Sequence, residues 1–113
     1  MAKPQMNNDP AYQLLRAQRI NDFNTQKAQL DLSKLRGSDF RGLDLRNWDV
    51  DGLDLTDAYF RLTDLRGIDF RNANLQGASL AEARISGCYF PAALSSDEIR
   101  LSLQFGTRLR YSK

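Results

Sequence analysis

The stretch LDLSKLRGSDFRGLDLRNWDVDGLDLTDAYFRLTDLRGIDFRNANLQGASLAEARISGCYF, Leu30–Phe90, decides how this chain folds. Stepping by five from Leu30 gives Leu35, Phe40, Leu45, Val50, Leu55, Phe60, Leu65, Phe70, Leu75, Leu80, Ile85 and Phe90, a large apolar residue at every step. A chain of this apolar content would produce thirteen in register with a probability on the order of one in a hundred thousand per starting point. Two residues before each lies a second row, Ala28, Ser33, Ser38, Leu43, Trp48, Leu53, Ala58, Thr63, Ile68, Ala73, Ala78, Ala83 and Cys88, most of them small. Between the rows stand Asp or Asn, as in Asp39, Asp44, Asp64 and Asn74; Arg often follows the large residue, and Gly or Asn often comes next.

Neither regular period explains this spacing. A helix with an apolar residue every five positions smears its apolar face around the whole circumference, and a long strand needs period two. A chain that turns a corner every five residues satisfies both rows. A short extended segment then presents two alternate residues inward and the Gly or Asn makes the bend, so four corners close a coil of twenty residues.

The pentads "ANLQG" (Ala73–Gly77), "ASLAE" (Ala78–Glu82) and "TDLRG" (Thr63–Gly67) resemble the motif of the pentapeptide-repeat family. The resemblance covers residues 28–92 and implies an all-β solenoid, a right-handed quadrilateral β-helix of about three coils. Residues i and i+20 then stack: Leu30, Val50, Phe70 and Phe90 in one column, Leu35, Leu55 and Leu75 in a second, Phe40, Phe60 and Leu80 in a third, Leu45, Leu65 and Ile85 in the fourth. Leu43, Trp48, Leu53 and Ile68 are bulkier than the small residues usual in their row and predict faces that are widened or distorted.

A short stack has two open ends, which the flanks are expected to cap. Residues 1–27 form an N-terminal tail and helical cap, with Asp9 as N-cap, Pro10 at the first position and a helix running from Ala11 to about Phe23. Its apolar residues Tyr12, Leu14, Leu15, Ile20 and Phe23 spread too widely for one face, so one side would cap and another could meet a partner. Residues 93–113 supply a helix through about Gln104, opened by a Ser95–Glu98 capping box and closed by Gly106, with Ile99 and Leu103 toward the last coil, and then a basic tail.

The 113 residues carry 16 Lys and Arg against 14 Asp and Glu, a net charge of +2 that makes neither nucleic-acid binding nor a strongly acidic DNA mimic the default. Residues 28–92 hold eight basic and ten acidic residues, so the repeats are slightly acidic and each flank slightly basic. With no His and one Cys, the usual zinc sites, His-based triads and any internal disulfide are excluded. No enzyme, cofactor or metal is expected; Asp49, Asp51 and Asp54 would turn to different faces. No long apolar run marks a membrane insertion or secretory signal, so a cytoplasmic setting is expected.

What remains is a non-catalytic interaction or assembly module whose partner is another protein or large complex, with an acidic surface as one form of it. Candidate partner-binding residues are Arg41 above Arg61 on one face, Arg46 above Arg66 on the next, Trp48, the outward Tyr59 and Tyr89, and Arg108 and Arg110 in the basic tail. The aspartate rows could instead neutralise these arginines, Trp48 could serve an enlarged core, and Cys88 reads as an inert core thiol. The resemblance carries one alternative function, a DNA-mimicking inhibitor or protector of gyrase, and leaves open a homodimer through the solenoid ends. The segment "YFPAALSSDEIRLSLQFGTRLR" is similar to the tails of short pentapeptide-repeat proteins of cyanobacteria, which implies a place beside a large assembly.

Overall fold

The computed structural model describes residues 8–112. Two short helices, α1 (Pro10–Arg16) and α2 (Ile20–Gln26), lead through a 3-10 turn at Lys27–Gln29 into the repeats, and α3 (Ser96–Phe105) follows them. Between the 3-10 turn and α3 the chain returns to the same place every twenty residues. Single-residue parallel bridges join Asp39 to Tyr59, Asp44 to Asp64, Asp54 to Asn74, Tyr59 to Ser79, Asp64 to Arg84 and Asp69 to Tyr89. No continuous strand forms among the described residues, because a corner interrupts each extended segment after two or three residues.

The corners follow from backbone conformation. Every fifth position from 37 to 87 except Asn72 has a positive φ, six of them glycine and the others Asn47, Asp57, Leu62 and Glu82. Leu62 stands out: it holds φ 59° without the freedom of glycine, and its side chain is 59% exposed.

The large row points inward. Leu35, Phe40, Leu45, Leu55, Phe60, Leu65, Phe70, Leu75 and Leu80 are fully buried. Residues twenty apart stack directly: Phe40 and Phe60 lie ring on ring at 5.4 Å, and Phe70 and Phe90 at 5.8 Å. The small row completes the core with Ser38, Ala58, Thr63, Ala73 and Ala78, and Thr63 Oγ1 donates to the Phe40 carbonyl at 2.7 Å. The first pentads depart from the sequence reading. Ala28 is exposed within the 3-10 turn and Ser33 is exposed with its hydroxyl on Asp31, because no earlier coil lies beneath them.

Of the four bulky residues in the small row, one interrupts the ladder. The amides of Asp64, Asn74 and Tyr89 still donate to the carbonyls of Leu43, Leu53 and Ile68, but no such bond joins Asp69 to Trp48. The indole is buried between Phe23, edge-on at 6.0 Å, and Phe40 at 5.4 Å, and its Nε1 has no acceptor among the described residues. Its bulk belongs to the core, so Trp48 is corrected from a contact residue to a packing residue; a side chain 3% exposed cannot anchor a partner.

The N-terminal cap is two helices instead of one. Gln18, at φ 59°, breaks the run and rotates the second segment so that Ala11, Tyr12 and Leu15 from α1 and Ile20 and Phe23 from α2 are all buried. The break also explains the scattered apolar positions, and no large apolar residue of α1 or α2 is exposed. The helices satisfy the underside of the first coil: Gln18 Oε1 accepts from the Asp44 amide at 2.6 Å, Asn24 Oδ1 from the Asp49 amide at 2.9 Å, and the Tyr12 hydroxyl donates to the Asp39 carbonyl at 2.7 Å.

At the other end, Ser95 Oγ accepts from the Glu98 amide as expected, but the Glu98 carboxylate binds Arg110 at 2.8 Å instead of closing a capping box. Gly106 ends α3 at φ 69°. The following extended segment pairs antiparallel with the last coil, Arg108 opposite Ser79, and buries Leu109 completely. Ser102, a buried polar residue of α3 that the apolar pattern hides, accepts from the Leu80 amide at 2.8 Å.

Candidate binding surface

Four arginines are clasped by the aspartate two residues earlier in the chain. In Asp39–Arg41, Asp44–Arg46, Asp64–Arg66 and Asp69–Arg71, the carboxylate accepts from the arginine's own backbone amide, from its Nε and from its terminal nitrogen, the last at 2.7 Å each time. The spacing Asp-x-Arg makes this possible because, in an extended segment, residues i and i+2 point to the same side. Arg46 also reaches Asp64 on the next coil at 3.5 Å. The hydrogen bonds from Arg66 hold the Asp64 carboxyl at about 2, and those from Arg71 do the same for Asp69. Repulsion between the stacked Arg46 and Arg66 is thus relieved within each coil, whereas Arg61, with Tyr59 two residues earlier, has no such clasp.

The sequence-selected residues separate into three places. Arg46 and Arg66 flank a polar recess of about 620 Å³ with Gln18, Asn21, Asp44 and Asn47. Tyr89, 58% exposed, lies beneath the Arg71 guanidinium at 4.4 Å on another side. Arg41, Tyr59, Arg61, Arg108 and Arg110 gather around Phe105, in the last turn of α3. One open cleft, about 740 Å³, is lined by Tyr59, Leu101, Phe105, Thr107, Arg108 and Arg110. An adjoining cleft of about 410 Å³ is lined by Arg41, Tyr59, Arg61, Glu82, Gln104 and Phe105.

Phe105 is 71% exposed and Leu101 38%. Leu62 is a further exposed apolar residue, next in the chain to Arg61 of the second cleft, with its amide on the Ala81 carbonyl. Tyr59 is fixed between the clefts: Arg108 donates to its hydroxyl and to the Gly77 carbonyl and reaches Asp57 at 3.4 Å. Arg61 is the loosest charge here, 62% exposed and 3.9 Å from Glu82. Phe105, Leu101 and Leu62 escaped the sequence reading because none falls in an inward row; the signal was Leu62 in a corner position that elsewhere takes mostly Gly, Asn or Asp.

The acidic groups and the thiol elsewhere are tied up within the fold. Asp49 accepts from Lys27, Asp51 from Asn72, and Asp54 from Thr56, and no group among the described residues gathers three potential metal ligands. Cys88 is half-buried, its thiol donates to the Leu65 carbonyl at 2.9 Å, and burial raises its pKa. No described helix is long and apolar enough to cross a membrane.

Residues 54–90 match the model of the pentapeptide repeats in eight copies. No curated protein and no solved structure matches the chain. Repeats of this family serve in general as protein-interaction modules and not as enzymes, and no catalytic family is matched.

Proposed function

We propose that this protein is a non-catalytic interaction module, built on a right-handed quadrilateral β-helix, that binds another protein through the surface around Phe105. The exposed Phe105 ring carries the reading. A helix that already packs Ile99 and Leu103 on the last coil gains nothing in its own fold from presenting Phe105, with Leu101 beside it, to water. Covering one such ring is worth about 1.5–3 kcal/mol, and the neighbouring tyrosine and arginines are residue types enriched where binding energy concentrates. The bridges at twenty-residue spacing support the β-helix, because they place Asp39, Tyr59 and Ser79 in one column and so bring Tyr59 beside α3.

The partner is a protein with an apolar projection flanked by carboxylates, to meet Phe105 and the arginines around it. A role in assembling a larger complex in the cytoplasm fits such a rigid, passive surface. The gyrase-directed alternative gains no support, since arginines rim this surface and the chain carries +2.

The test is affinity capture from the native host's lysate with quantitative mass spectrometry, comparing wild type, a Phe105→Ser/Arg61→Ala variant and an Arg46→Ala/Arg66→Ala variant. A protein retained by the last and lost by the Phe105 variant supports the reading. Equal recovery by all three overturns it.

A further inference from the structure

The geometry points to a second docking site, independent of the Phe105 surface: the uncovered edge of the last coil along one face, residues 83–87, takes a short extended acidic and apolar segment of another protein as an added strand. In the lower coils, amides at the large row and two residues later donate to the next coil, as Phe60 does to Ser79 at 2.9 Å and Leu62 to Ala81 at 3.0 Å. The corresponding amides of the last coil are those of Leu75, Gly77, Leu80, Glu82, Ile85, Gly87 and Phe90. The first four are met by the Tyr111 hydroxyl, the Leu109 carbonyl, the Ser102 hydroxyl and the Leu103 carbonyl. Among the described residues, the amides of Ile85, Gly87 and Phe90 have no acceptor and the carbonyls of Ala83 and Cys88 have no donor. Ile85, Cys88 and Phe90, fully or half inward by register, are only half-buried.

The chain itself demonstrates what this edge accepts. Along residues 77–79 its own segment 107–109 adds as a strand, with the Leu109 amide on the Ala78 carbonyl at 2.8 Å, the Gly77 amide on the Leu109 carbonyl at 2.8 Å, and Leu109 inserted over the core. Residues 83–87 continue the same edge around the next corner with no covering segment among the described residues. Main-chain pairing supplies affinity in such an addition and alternate side chains supply selectivity.

Charge identifies the occupant. Stacked positions 44, 64 and 84 read Asp, Asp, Arg, so the column changes sign at its open end. Arg84 is exposed and has no ion-pair partner among the described residues. Residues 83–90 contain no carboxylate, so a second copy seated on the same edge would bring two unpaired arginines together. A foreign strand with a carboxylate stacked on Arg84 and an apolar residue over Ile85 satisfies both the charge and the half-exposed core on this face.

The experiment uses the full chain, an end-capped octapeptide of alternating valine and glutamate, and a control of alternating valine and lysine. Amide exchange is followed residue by residue by NMR. The expected result is exchange at Ile85 and Gly87 slowed about tenfold or more by millimolar glutamate peptide but not by the lysine peptide, with Phe90 beyond the corner unaffected and Arg84→Glu reversing the preference. No slowing at Ile85 and Gly87, equal slowing by both peptides, or effects confined to Leu101 and Phe105 would overturn the proposal. So would self-association through this edge, seen in sedimentation velocity as a dimer lost in a Tyr89→Glu variant.

Discussion

The Arg108 guanidinium donates to the Tyr59 hydroxyl at 2.8 Å and lies 5.4 Å from the centre of the same ring, tying the C-terminal segment to the middle coil. One side chain therefore both fixes the cap and sets the orientation of an aromatic ring on the candidate binding surface. Arg108→Ala is expected to cost about 1 kcal/mol, since the pair is half-exposed and solvent screens part of its charge. Exchange at the Leu109 amide, measured by NMR, should accelerate well before global unfolding; unchanged protection there would show that Leu109 burial alone holds the segment.

Removing the cap entirely is more severe. Deletion from Ser95 onward uncovers Leu75 and Leu80 and leaves the amides of Leu75, Gly77, Leu80 and Glu82 without acceptors. The truncated chain is expected to aggregate in size-exclusion chromatography, and a soluble monomer would mean that α3 is not needed as a cap.

Phe60 and Arg61 are neighbours in sequence with opposite fates. Phe60 is fully buried and stacked on Phe40, so Phe60→Asp places a charge in the core and is expected to abolish the cooperative melt. Arg61→Ala removes only a 62% exposed side chain and should shift the midpoint by no more than a degree or so. Circular dichroism melts of both variants check the inward assignment.

Stability should depend on pH through the clasped aspartates. An Asp64 carboxyl at about 2 in the folded chain, against about 3.9 unfolded, means that protonation favours the unfolded state. The contribution is fully present above about pH 5 and is lost as pH falls toward 2. Urea midpoints should be level from pH 7 to 5 and decline below pH 4, with a shallower decline in Asp64→Asn. A midpoint rising toward pH 3 would contradict the clasp.

Leu62→Gly separates folding from binding. Relief of the left-handed backbone at this corner should stabilise the fold by about 0.5 kcal/mol or more, while removal of an exposed apolar group should weaken partner binding. A thermal shift assay and a titration with the captured partner read the two effects separately. A lower melting temperature would show that Leu62 packs against something the fold requires.

How much was legible in the sequence depends on whether periodicity controlled the feature. The inward residues from Leu35 to Leu80 and the stacking of Phe40 on Phe60 follow from the five-residue spacing alone. The break at Gln18 was half legible: the scatter of Tyr12, Leu14, Leu15, Ile20 and Phe23 ruled out one apolar face, but nothing in the pattern marks Gln18 as the residue that takes φ 59°. Ser102 was hidden because its burial is decided by the Leu80 amide, not by hydropathy. Tyr59, Arg41, Arg61, Arg108 and Arg110 could be selected singly from their positions, but their convergence depends on where α3 ends. Phe105 became visible as a candidate contact residue only once that end was known.

The clasped Asp-x-Arg pairs also have a kinetic consequence. An arginine neutralised within its own coil projects a dipole whose field decays over a few ångströms, so the repeat faces exert little pull on a distant partner. Encounters at these faces should proceed at the unsteered rate of about 10⁵–10⁶ M⁻¹ s⁻¹ and vary little with ionic strength. Discrimination between partners would then reside in how long a complex persists, not in how quickly it is found.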